Sequence, residues 1–322
     1  MRFGEISLKR KIIWCILTLL LILVFTFLIN EYNKNSSKKT NYPYIVSAFS
    51  GHNGSNLDLY TTNNLKDFKP LNKKKLFEPP SNNLRDPSII FYNHHFYVCY
   101  TGRPENKPGF MVAESPDLIH WDQHYIDIPK EYITTYAPQW FVDGDKISIL
   151  LSLTNGIKEN DIFNNNILFF KSYIMISKDR SLMNYTLPMP INYSKNDNHI
   201  DPCMTKRNGK YYIFVKNEHD RLIDEFVSDQ LIGNYSFIQT INFGDPVEGP
   251  SIIRKNGRYY LFADKYTLNE SSLVTSYDLL TWSKPMKVES TDKVRTQHFD
   301  IFHLNAESYR IAEKLSEELM GN

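Results

Sequence analysis

The 322-residue chain is predicted to form an all-β, five-bladed β-propeller, preceded by one N-terminal transmembrane helix and ending in a short C-terminal helix. Two repeated patterns predict the propeller: a hairpin sequence and a turn sequence that alternates with it. A third observation argues against an α/β fold. The regions between the predicted strands contain no long amphipathic pattern that could form a crossover helix.

The hairpin sequence occurs four times as two apolar runs joined by a short polar turn, the strongest short-range signal for a β-hairpin. The copies are RDPSIIFYNHHFYVCYTG from Arg85, APQWFVDGDKISILLSLT from Ala137, IDPCMTKRNGKYYIFVKN from Ile200 and EGPSIIRKNGRYYLFADKY from Glu248. Their turns are predicted at Asn93-His94, Asp143-Gly144, Asn208-Gly209 and Asn256-Gly257. Successive copies lie roughly 50–60 residues apart, a spacing typical of propeller blades.

The turn sequence is SPDLIHW from Ser115 and SYDLLTW from Ser276, with weaker forms from Thr62, Ser177 and Ser228. Four hairpins and five turns predict five blades of about four strands. For the fifth blade we expect YPYIVSAF and LDLYTT, near the N-terminus, to join RTQHFDIFHL near the C-terminus. This closure removes free sheet edges. The final AESYRIAEKLSEELM has apolar residues at helical spacing and predicts the terminal helix.

The N-terminal region is divided into a cytoplasmic tail (1–11), a transmembrane signal-anchor (12–30) and a linker (31–42), with the propeller over 43–322. The run from Ile12 to Ile29 is uncharged; at ~1.5 Å per residue it nearly spans a ~30 Å hydrocarbon core. Three basic residues precede it, which favours a cytoplasmic N-terminus and an extracytoplasmic propeller. A cleaved signal peptide, and hence secretion, is the alternative. It is less favoured because no small-residue cleavage site follows the run.

Composition adds two constraints. The net charge is +1, with 37 basic against 36 acidic residues, so nothing electrostatic favours a nucleic-acid partner. Cys99 and Cys203 lie in predicted strands as small buried residues, and the sequence leaves open whether they form a disulfide.

Three carboxylates are predicted to meet at the propeller axis. The innermost strand of each blade begins near this axis, and Asp86, Asp201 and Glu248 are predicted at equivalent strand starts in three hairpins, with Tyr136 at that position in the fourth. A single Asp-Pro is an ordinary turn sequence. Three acids held together repel one another, however, and chemistry explains that energetic cost better than stability does.

In this order and spacing, RDPSII, SPDLIHW, YAPQW, HIDPCM and VEGPSI resemble the motifs of glycoside hydrolase family 43, five-bladed propeller enzymes that act on arabinosides and xylosides. The resemblance extends from about Tyr44 to the C-terminus. It implies that Asp86 is the general base, Asp201 modulates the pKa of the acid, and Glu248 is the general acid. An inverting glycosidase needs such a base and acid roughly 6.5–9.5 Å apart. A third carboxylate helps to keep the acid protonated.

The resemblance also implies residues that bind the sugar. In VRTQHFD, Arg295 would contact sugar hydroxyls and His298 would lie at the axial channel, beside a calcium ion or its water. No cofactor is required, and the sequence has no dedicated calcium loop, so a structural calcium stays open. Tyr136, Trp140 and Phe110 are predicted to stack on sugar faces. Tyr136 replaces the Trp common in the family, which leaves the ring size and linkage of the substrate open.

The leading functional hypothesis is therefore an inverting glycosidase of arabinofuranosyl or xylosyl linkages in an extracytoplasmic glycan. Arg85 is a further predicted substrate contact. Its RDP sequence also occurs in fructan-cleaving propellers, which suggests a retaining fructosidase, but the nucleophile motif of those enzymes is missing from the earlier SAFSGHNGSNLDLY. A non-hydrolytic carbohydrate-binding or glycosyl-transferring propeller in surface-polysaccharide metabolism is the third hypothesis, favoured by the predicted membrane anchor.

Overall fold

The computed structural model describes residues 17–18, 43–50, 54–102, 107–159, 167–195, 197–290 and 297–320. The predicted tail, the linker and the transmembrane segment, except for Leu17 and Thr18, lie outside these ranges. Within them, no helix is both long enough and apolar enough to cross a membrane.

The strands of the described ranges form five sheets of four or five strands, which confirms the predicted propeller. From the innermost strand outward, blade 1 contains β4 (Arg85–Tyr92), β5 (His95–Thr101), β6 (Gly109–Ser115) and β7 (Asp122–Asp127). Blade 2 contains β8 (Thr134–Asp143), β9 (Lys146–Thr154), β12 (Lys171–Ile176) and β13 (Met189–Pro190). Blade 3 contains β15 (His199–Arg207), β16 (Lys210–Asn217), β17 (Ile223–Ser228), β18 (Asn234–Ile241) and β14 (Asn192–Tyr193).

The remaining strands complete the ring. Blade 4 contains β19 (Glu248–Lys255), β20 (Arg258–Lys265), β21 (Glu270–Ser276) and β22 (Met286–Lys287), and blade 5 contains β24 (Gln297–His303), β1 (Tyr44–Ser50), β2 (Asn56–Thr62), β3 (Asp67–Pro70) and β23 (Glu289–Ser290). A separate pair is formed by β10 (Lys158–Glu159) and β11 (Ile167–Leu168), and a 3-10 turn spans Pro80–Asn82. Each innermost strand contacts those of the two neighbouring blades, so the five strands surround a common axis.

Blade 5 closes the ring as predicted. Its innermost strand, β24, comes from the C-terminal region and pairs antiparallel with β1, so that Tyr44 faces His303 and Ile45 faces Phe302. Because the first and last strands of the propeller share one sheet, the closure joins distant parts of the chain through backbone hydrogen bonds.

Three of the four predicted hairpin turns lie where the sequence predicts them. In each, both central residues have positive φ, as a type I′ turn requires: Asn93 and His94, Asn208 and Gly209, Asn256 and Gly257. The fourth prediction was wrong by one residue. Asp143 pairs with Lys146, so the turn residues are Gly144 and Asp145, and of these only Gly144 has positive φ.

The turn sequence between hairpins inserts a leucine into the core. Four such leucines have φ between 57° and 65° and are at most 1% exposed: Leu65, Leu118, Leu182 and Leu279. In three of these leucines the backbone amide donates to the side-chain hydroxyl of the first residue of the turn: to Thr62 at 3.0 Å, Ser115 at 2.8 Å and Ser276 at 2.9 Å. The side-chain hydrogen bond and the buried leucine together offset the left-handed backbone.

Most buried apolar residues of the described chain fall into five clusters, each of which lies mainly between two neighbouring blades. Both faces of each sheet are therefore covered, which explains why strands such as β9 are nearly continuous apolar runs. Cys99 and Cys203 are buried in two of these clusters as free thiols.

The predicted terminal helix, α1, spans Ala306–Met320. Asn305 caps it, because its Oδ1 accepts the amides of Glu307 and Ser308 at 3.0 Å. Ala312 and Leu315 pack into the cluster between blades 5 and 1.

The carboxyl group of Glu225 is buried between blades 3 and 4. Glu225 is 0% exposed; its Oε2 accepts hydrogen bonds from Gln239 at 2.9 Å and Trp282 at 3.1 Å. Its Oε1 has no hydrogen-bond partner among the described residues. Burial raises the pKa of Glu225 to about 7.

This raised pKa predicts a pH-dependent stability that Glu225→Gln should remove. A carboxyl whose folded pKa exceeds its unfolded value stabilises the fold below the unfolded pKa, and the contribution is lost as pH rises through about 7. We expect the wild type to lose ~1 kcal/mol more unfolding free energy than the variant between pH 6 and 8, measured by urea denaturation. Parallel pH dependences would contradict the assignment.

Candidate active site

Every innermost strand begins with the same backbone irregularity, a bulge in which two residues face one on the neighbouring strand. The first residue of each bulge has a positive φ, between 38° and 57°: Asp86, Ala137, Asp201, Gly249 and His298. A proline, which has no N–H to donate, follows in blades 1 to 4. The bulge thus places one residue of each blade at the same point of the axis.

This register corrects one sequence prediction. Asp86 and Asp201 are equivalent, as expected, but Glu248 precedes its bulge by one residue and is equivalent to Arg85 and Tyr136. The Asp-Pro of blades 1 and 3 corresponds to Gly-Pro in blade 4, so Gly249 occupies the position predicted for the acid. Glu248 nevertheless reaches the same pocket as the two aspartates.

The pocket at this end of the axis has a volume of about 360 Å³. Its charged lining consists of Arg85, Asp86, Asp201, Lys216, Glu218, Glu248 and His298, and its other lining residues are Tyr136, Ile167, Leu168, Phe170 and Ile200. The structure therefore brings the three predicted acids together with three of the other predicted site residues, Arg85, Tyr136 and His298. A mixed lining with few, convergent polar groups is typical of small-molecule sites.

Asp86 is held from two sides. It is 7% exposed, and its Oδ2 accepts a hydrogen bond from the Thr101 hydroxyl at 2.7 Å. The same hydroxyl accepts the amide of Ala137 at 2.8 Å, so its proton is directed toward Asp86. On the other side, Nδ1 of His298 lies 3.2 Å from Oδ1 of Asp86.

Asp201 is tied to the backbone next to Glu248. It is 6% exposed, its own amide donates to Ser152 at 3.0 Å, and its Oδ2 accepts the amide of Gly249 at 3.1 Å. Burial raises the pKa of Asp201 to about 6; the positive charges of His298 and Lys216 oppose this rise, and the negative charges of Asp86 and Glu248 add to it. Asp201 therefore changes charge just below neutral pH.

Glu248 is the more exposed acid, with 26% of its side chain accessible. Its Oε2 lies 3.2 Å from Nζ of Lys216, which in turn lies 2.9 Å from Oε1 of Glu218. Sequence analysis missed both Lys216 and Glu218. The available signal was a lysine at the end of the apolar run YYIFVKN, where a charged side chain needs a partner.

His298 lies among the acids as a counter-charge. Besides its contact with Asp86, its Nδ1 is 3.9 Å from Oδ2 of Asp201. Although burial opposes it, the charges of Asp86, Asp201 and Glu248 raise the pKa of His298. A protonated imidazole has no lone pair for a metal, and calcium prefers oxygen ligands. These properties disfavour direct coordination through this side chain, and a calcium ion held beside His298 through a water molecule stays a prediction.

A second acidic group has spacing suitable for a metal ion: Asp197, His199 and Asp224. Lys195 Nζ lies 3.0 Å from both carboxylates, and Asn217 donates to Asp197 at 3.1 Å and Asp224 at 3.0 Å. Hydrogen bonds led by that from His199 outweigh burial and lower the pKa of Asp224 to about 2. The lysine occupies the place of a cation, so this group is an internal ion-pair network.

Asp300 lies two residues beyond His298 and joins three other blades. It is 9% exposed, and its carboxylate accepts hydrogen bonds from Ser88 at 2.5 Å, Ser251 at 2.7 Å and Gln139 at 3.1 Å. These donors occupy equivalent positions after the bulges of blades 1, 4 and 2. The network holds the innermost strands of four blades in a fixed arrangement below the bulge residues.

Two predicted sugar contacts were wrong. Trp140 is 7% exposed and Phe110 is 0% exposed, and both are packed in the apolar cluster between blades 1 and 2. Neighbouring residues of a strand point to opposite faces, and these two rings are on faces covered by the adjacent blade. Phe170 is also only 7% exposed, but unlike these two rings it lines the pocket, where its ring lies 5.4 Å from that of Tyr136. Arg295 lies outside the described residues.

Residues 41–309 match a family model, related to glycoside hydrolase family 43, that is described as a probable glycosyl hydrolase domain. A comparison with curated protein sequences found no match.

Solved structures share the fold. The GH43 protein BlXynB from Bacillus licheniformis is 17% identical, with a TM-score of 0.50; the match covers 62% of this chain but only 41% of BlXynB. For the α-L-arabinofuranosidase from Lactobacillus brevis, the identity is 15%, the TM-score 0.51, and the coverage 62% and 72%. The RS223 β-xylosidase is 12% identical, with a TM-score of 0.57; the match covers 76% of this chain and 95% of the xylosidase.

The bulge of blade 4 predicts a specific intolerance at Gly249. A Cβ atom there would lie 2.6 Å from Cγ of His298, and the φ of 57° is itself unfavourable for alanine. We expect Gly249→Ala to lower the free energy of unfolding by ~1 kcal/mol for the backbone, plus ~1–3 kcal/mol for overpacking, measured by urea denaturation.

Gly257→Ala is the matched control, because Gly257 also has positive φ, 80°, but no atom lies within 4 Å of the added Cβ. This variant should lose only the backbone contribution. Equal losses in the two variants would mean that His298 does not constrain the bulge.

Proposed function

The chain belongs to the probable glycosyl hydrolases related to glycoside hydrolase family 43, and we propose that it hydrolyses arabinofuranosyl- or xylosyl-type linkages with inversion of the anomeric configuration. Its enzyme class, glycosidase, follows from the family. The observation that carries the proposed mechanism is the presence of Asp86, Asp201 and Glu248 in one pocket at the propeller axis.

We assign the general base to Asp86. One of its oxygens is engaged by Thr101, and the other faces the pocket region near His298. In an inverting reaction the base removes a proton from a water molecule while the water oxygen attacks the anomeric carbon. The fixed carboxylate orientation favours this role, because positioning of the base toward the water lowers the entropic part of the barrier.

We assign the general acid to Glu248. Its proton passes to the glycosidic oxygen as the bond from that oxygen to the anomeric carbon breaks, so the leaving group departs as an alcohol. Asp86 and Glu248 belong to blades 1 and 4, and blade 5 lies between them. An inverting reaction needs roughly 6.5–9.5 Å between the two carboxyl groups, so that a water molecule fits between them.

We assign Asp201 to modulation of the acid. Its hydrogen bond to the Gly249 amide links it to the backbone beside Glu248. Once ionised, above a pKa of about 6, its negative charge favours the protonated form of Glu248.

The substrate class is proposed from the named relatives and the pocket lining. The similar structures include a β-xylosidase and an α-L-arabinofuranosidase. In this chain the rings of Tyr136 and Phe170 offer an apolar surface for a sugar face, and Arg85 offers a guanidinium for hydroxyls. Arg295 stays a proposed hydroxyl contact on the basis of sequence alone.

One observation favours a second function, sugar binding or glycosyl transfer without hydrolysis. The ion pair between Lys216 and Glu248 stabilises the ionised form of Glu248, whereas hydrolysis needs the protonated form. Substrate trials with stereochemical analysis separate the two functions, because a binding protein retains sugar affinity but releases no product.

The assigned roles predict that Asp86→Asn and Glu248→Gln each lower kcat/KM by roughly 10²–10⁴-fold on alkyl xylosides or arabinofuranosides, whose poor leaving groups need protonation, since each variant removes one proton-transfer group. NMR of the first product formed should give the anomer opposite to that of the substrate. Glu270→Gln, which removes an exposed ion pair with Lys287 in blade 4, is the control and should leave activity unchanged. Activity retained by both site variants would refute the roles.

We also propose that segment 12–30 anchors the protein in a membrane, with residues 1–11 cytoplasmic and the propeller outside the cytoplasm. The length and lack of charge of the segment and the basic residues before it support this proposal.

The anchor predicts that full-length protein stays in the membrane fraction at high salt and is released by detergent. In intact cells, added protease should digest the propeller. A soluble protein whose N-terminus begins after residue 30 would instead indicate a cleaved signal peptide, which is the secreted alternative.

A further inference from the structure

Lys216 is a buried cation placed between two glutamates of the pocket. It lies near the end of β16, and only 7% of its side chain is exposed. Its Nζ is 2.9 Å from Oε1 of Glu218 and 3.2 Å from Oε2 of Glu248, and it lies 5.1 Å from the centre of the Tyr266 ring. The ammonium group therefore has two alternative carboxylate partners.

The two partners solve a problem that a single partner would create. A general acid must be protonated before the reaction, and a protonated Glu248 carries no charge to pair with Lys216. A buried ammonium without a counter-charge costs several kcal/mol. Because Glu218 remains 2.9 Å away, Lys216 stays paired whichever form Glu248 adopts.

We propose that Lys216 and Glu218 are positioning residues for proton donation by Glu248: Lys216 stabilises the carboxylate that forms as Glu248 gives up its proton, and Glu218 holds Lys216 while Glu248 is protonated. This inference rests on the proposed role of Glu248 as the general acid. The proton moves from Glu248 to the glycosidic oxygen, the bond to the anomeric carbon breaks, and the charge left on Glu248 meets the adjacent ammonium.

Other charged groups also act on Glu248, and they remain unchanged when Lys216 or Glu218 is replaced. They are Asp201 on β15, Asp264 opposite Glu248 on β20, and His298 on β24. The carboxylates favour the protonated form of Glu248, and the imidazolium favours the ionised form. Although burial opposes it, the charges of Glu218, Glu248 and Asp201 raise the pKa of Lys216, which keeps it charged throughout the working pH range.

The test compares pH–rate profiles of kcat/KM for the full-length protein in detergent, since the alkaline limb reports the pKa of the acid in the free enzyme. Lys216→Met removes a positive charge beside Glu248, so we expect the alkaline limb to move up by roughly one to three pH units. Glu218→Gln removes the carboxylate that competes with Glu248 for Lys216, so that the ammonium group pairs with Glu248 only. Its alkaline limb should move in the opposite direction, to lower pH.

Leaving groups provide a readout that a merely structural role would not change. A poor leaving group depends on protonation by Glu248, and Lys216→Met should lower its maximal kcat roughly tenfold because a weaker acid transfers its proton less readily. An activated aryl leaving group needs little protonation. Its kcat should be nearly the same in the variant and the wild type.

Two further variants serve as controls. Lys216→Arg keeps the charge and should keep the alkaline limb near that of the wild type. Lys206→Met removes a lysine paired with Asp143 at 2.7 Å; Lys206 lies on the same strand as Asp201 but about 16 Å away along it, and its loss should not move either limb. If Lys216→Met does not fold, as judged by thermal unfolding, the opposite shift in Glu218→Gln carries the test.

The outcomes separate this inference from the proposed function. If the wild type hydrolyses no glycoside, or if Glu248→Gln keeps full activity, the proposed function fails and the inference fails with it. If Glu248→Gln is inactive while Lys216→Met or Glu218→Gln leaves the alkaline limb unmoved, the proposed function stands and only the inference is overturned.

Discussion

A residue in the left-handed conformation lies within the first four positions of the innermost strand of every blade, and this backbone constraint determines which side chains meet at the axis. The bulge that contains it breaks the regular pairing of the first two strands at the same place in each sheet. Side chains at a bulge are aimed differently from those of a regular strand. Asp86, Asp201 and His298 therefore converge even though they are far apart along the chain.

Once the acids converge, their repulsion must be offset locally. The pocket does this with two buried cations: His298 beside Asp86 and Asp201, and Lys216 beside Glu248. Burial makes each of these interactions stronger than it would be in water. The result is a site whose carboxyl groups differ in environment, which is the condition for dividing acid and base roles among like residues.

The features that the sequence predicted correctly are those with local signals. Asn-Gly turns between apolar runs identified the blades, and helical spacing identified α1. The acid-Pro pattern placed Asp86 and Asp201. The failures depend on contacts between blades: the face on which Trp140 is buried, and the pairing of Lys216 with Glu218 and Glu248. No pattern within one strand reports which neighbouring blade covers it.

The offset of Glu248 has a steric cause. In blade 4 the bulge position faces the ring of His298 so closely that any side chain would collide with it, since a Cβ atom on Gly249 would lie 2.6 Å from Cγ. An aspartate equivalent to Asp86 and Asp201 is therefore excluded from this blade. The acid therefore comes from the preceding residue, Glu248, which lies outside the bulge. The longer side chain of glutamate allows its carboxyl group to extend into the pocket from this position. The freed amide of Gly249 then donates to Asp201, so one glycine accommodates the histidine, displaces the acid and connects the third carboxylate to it.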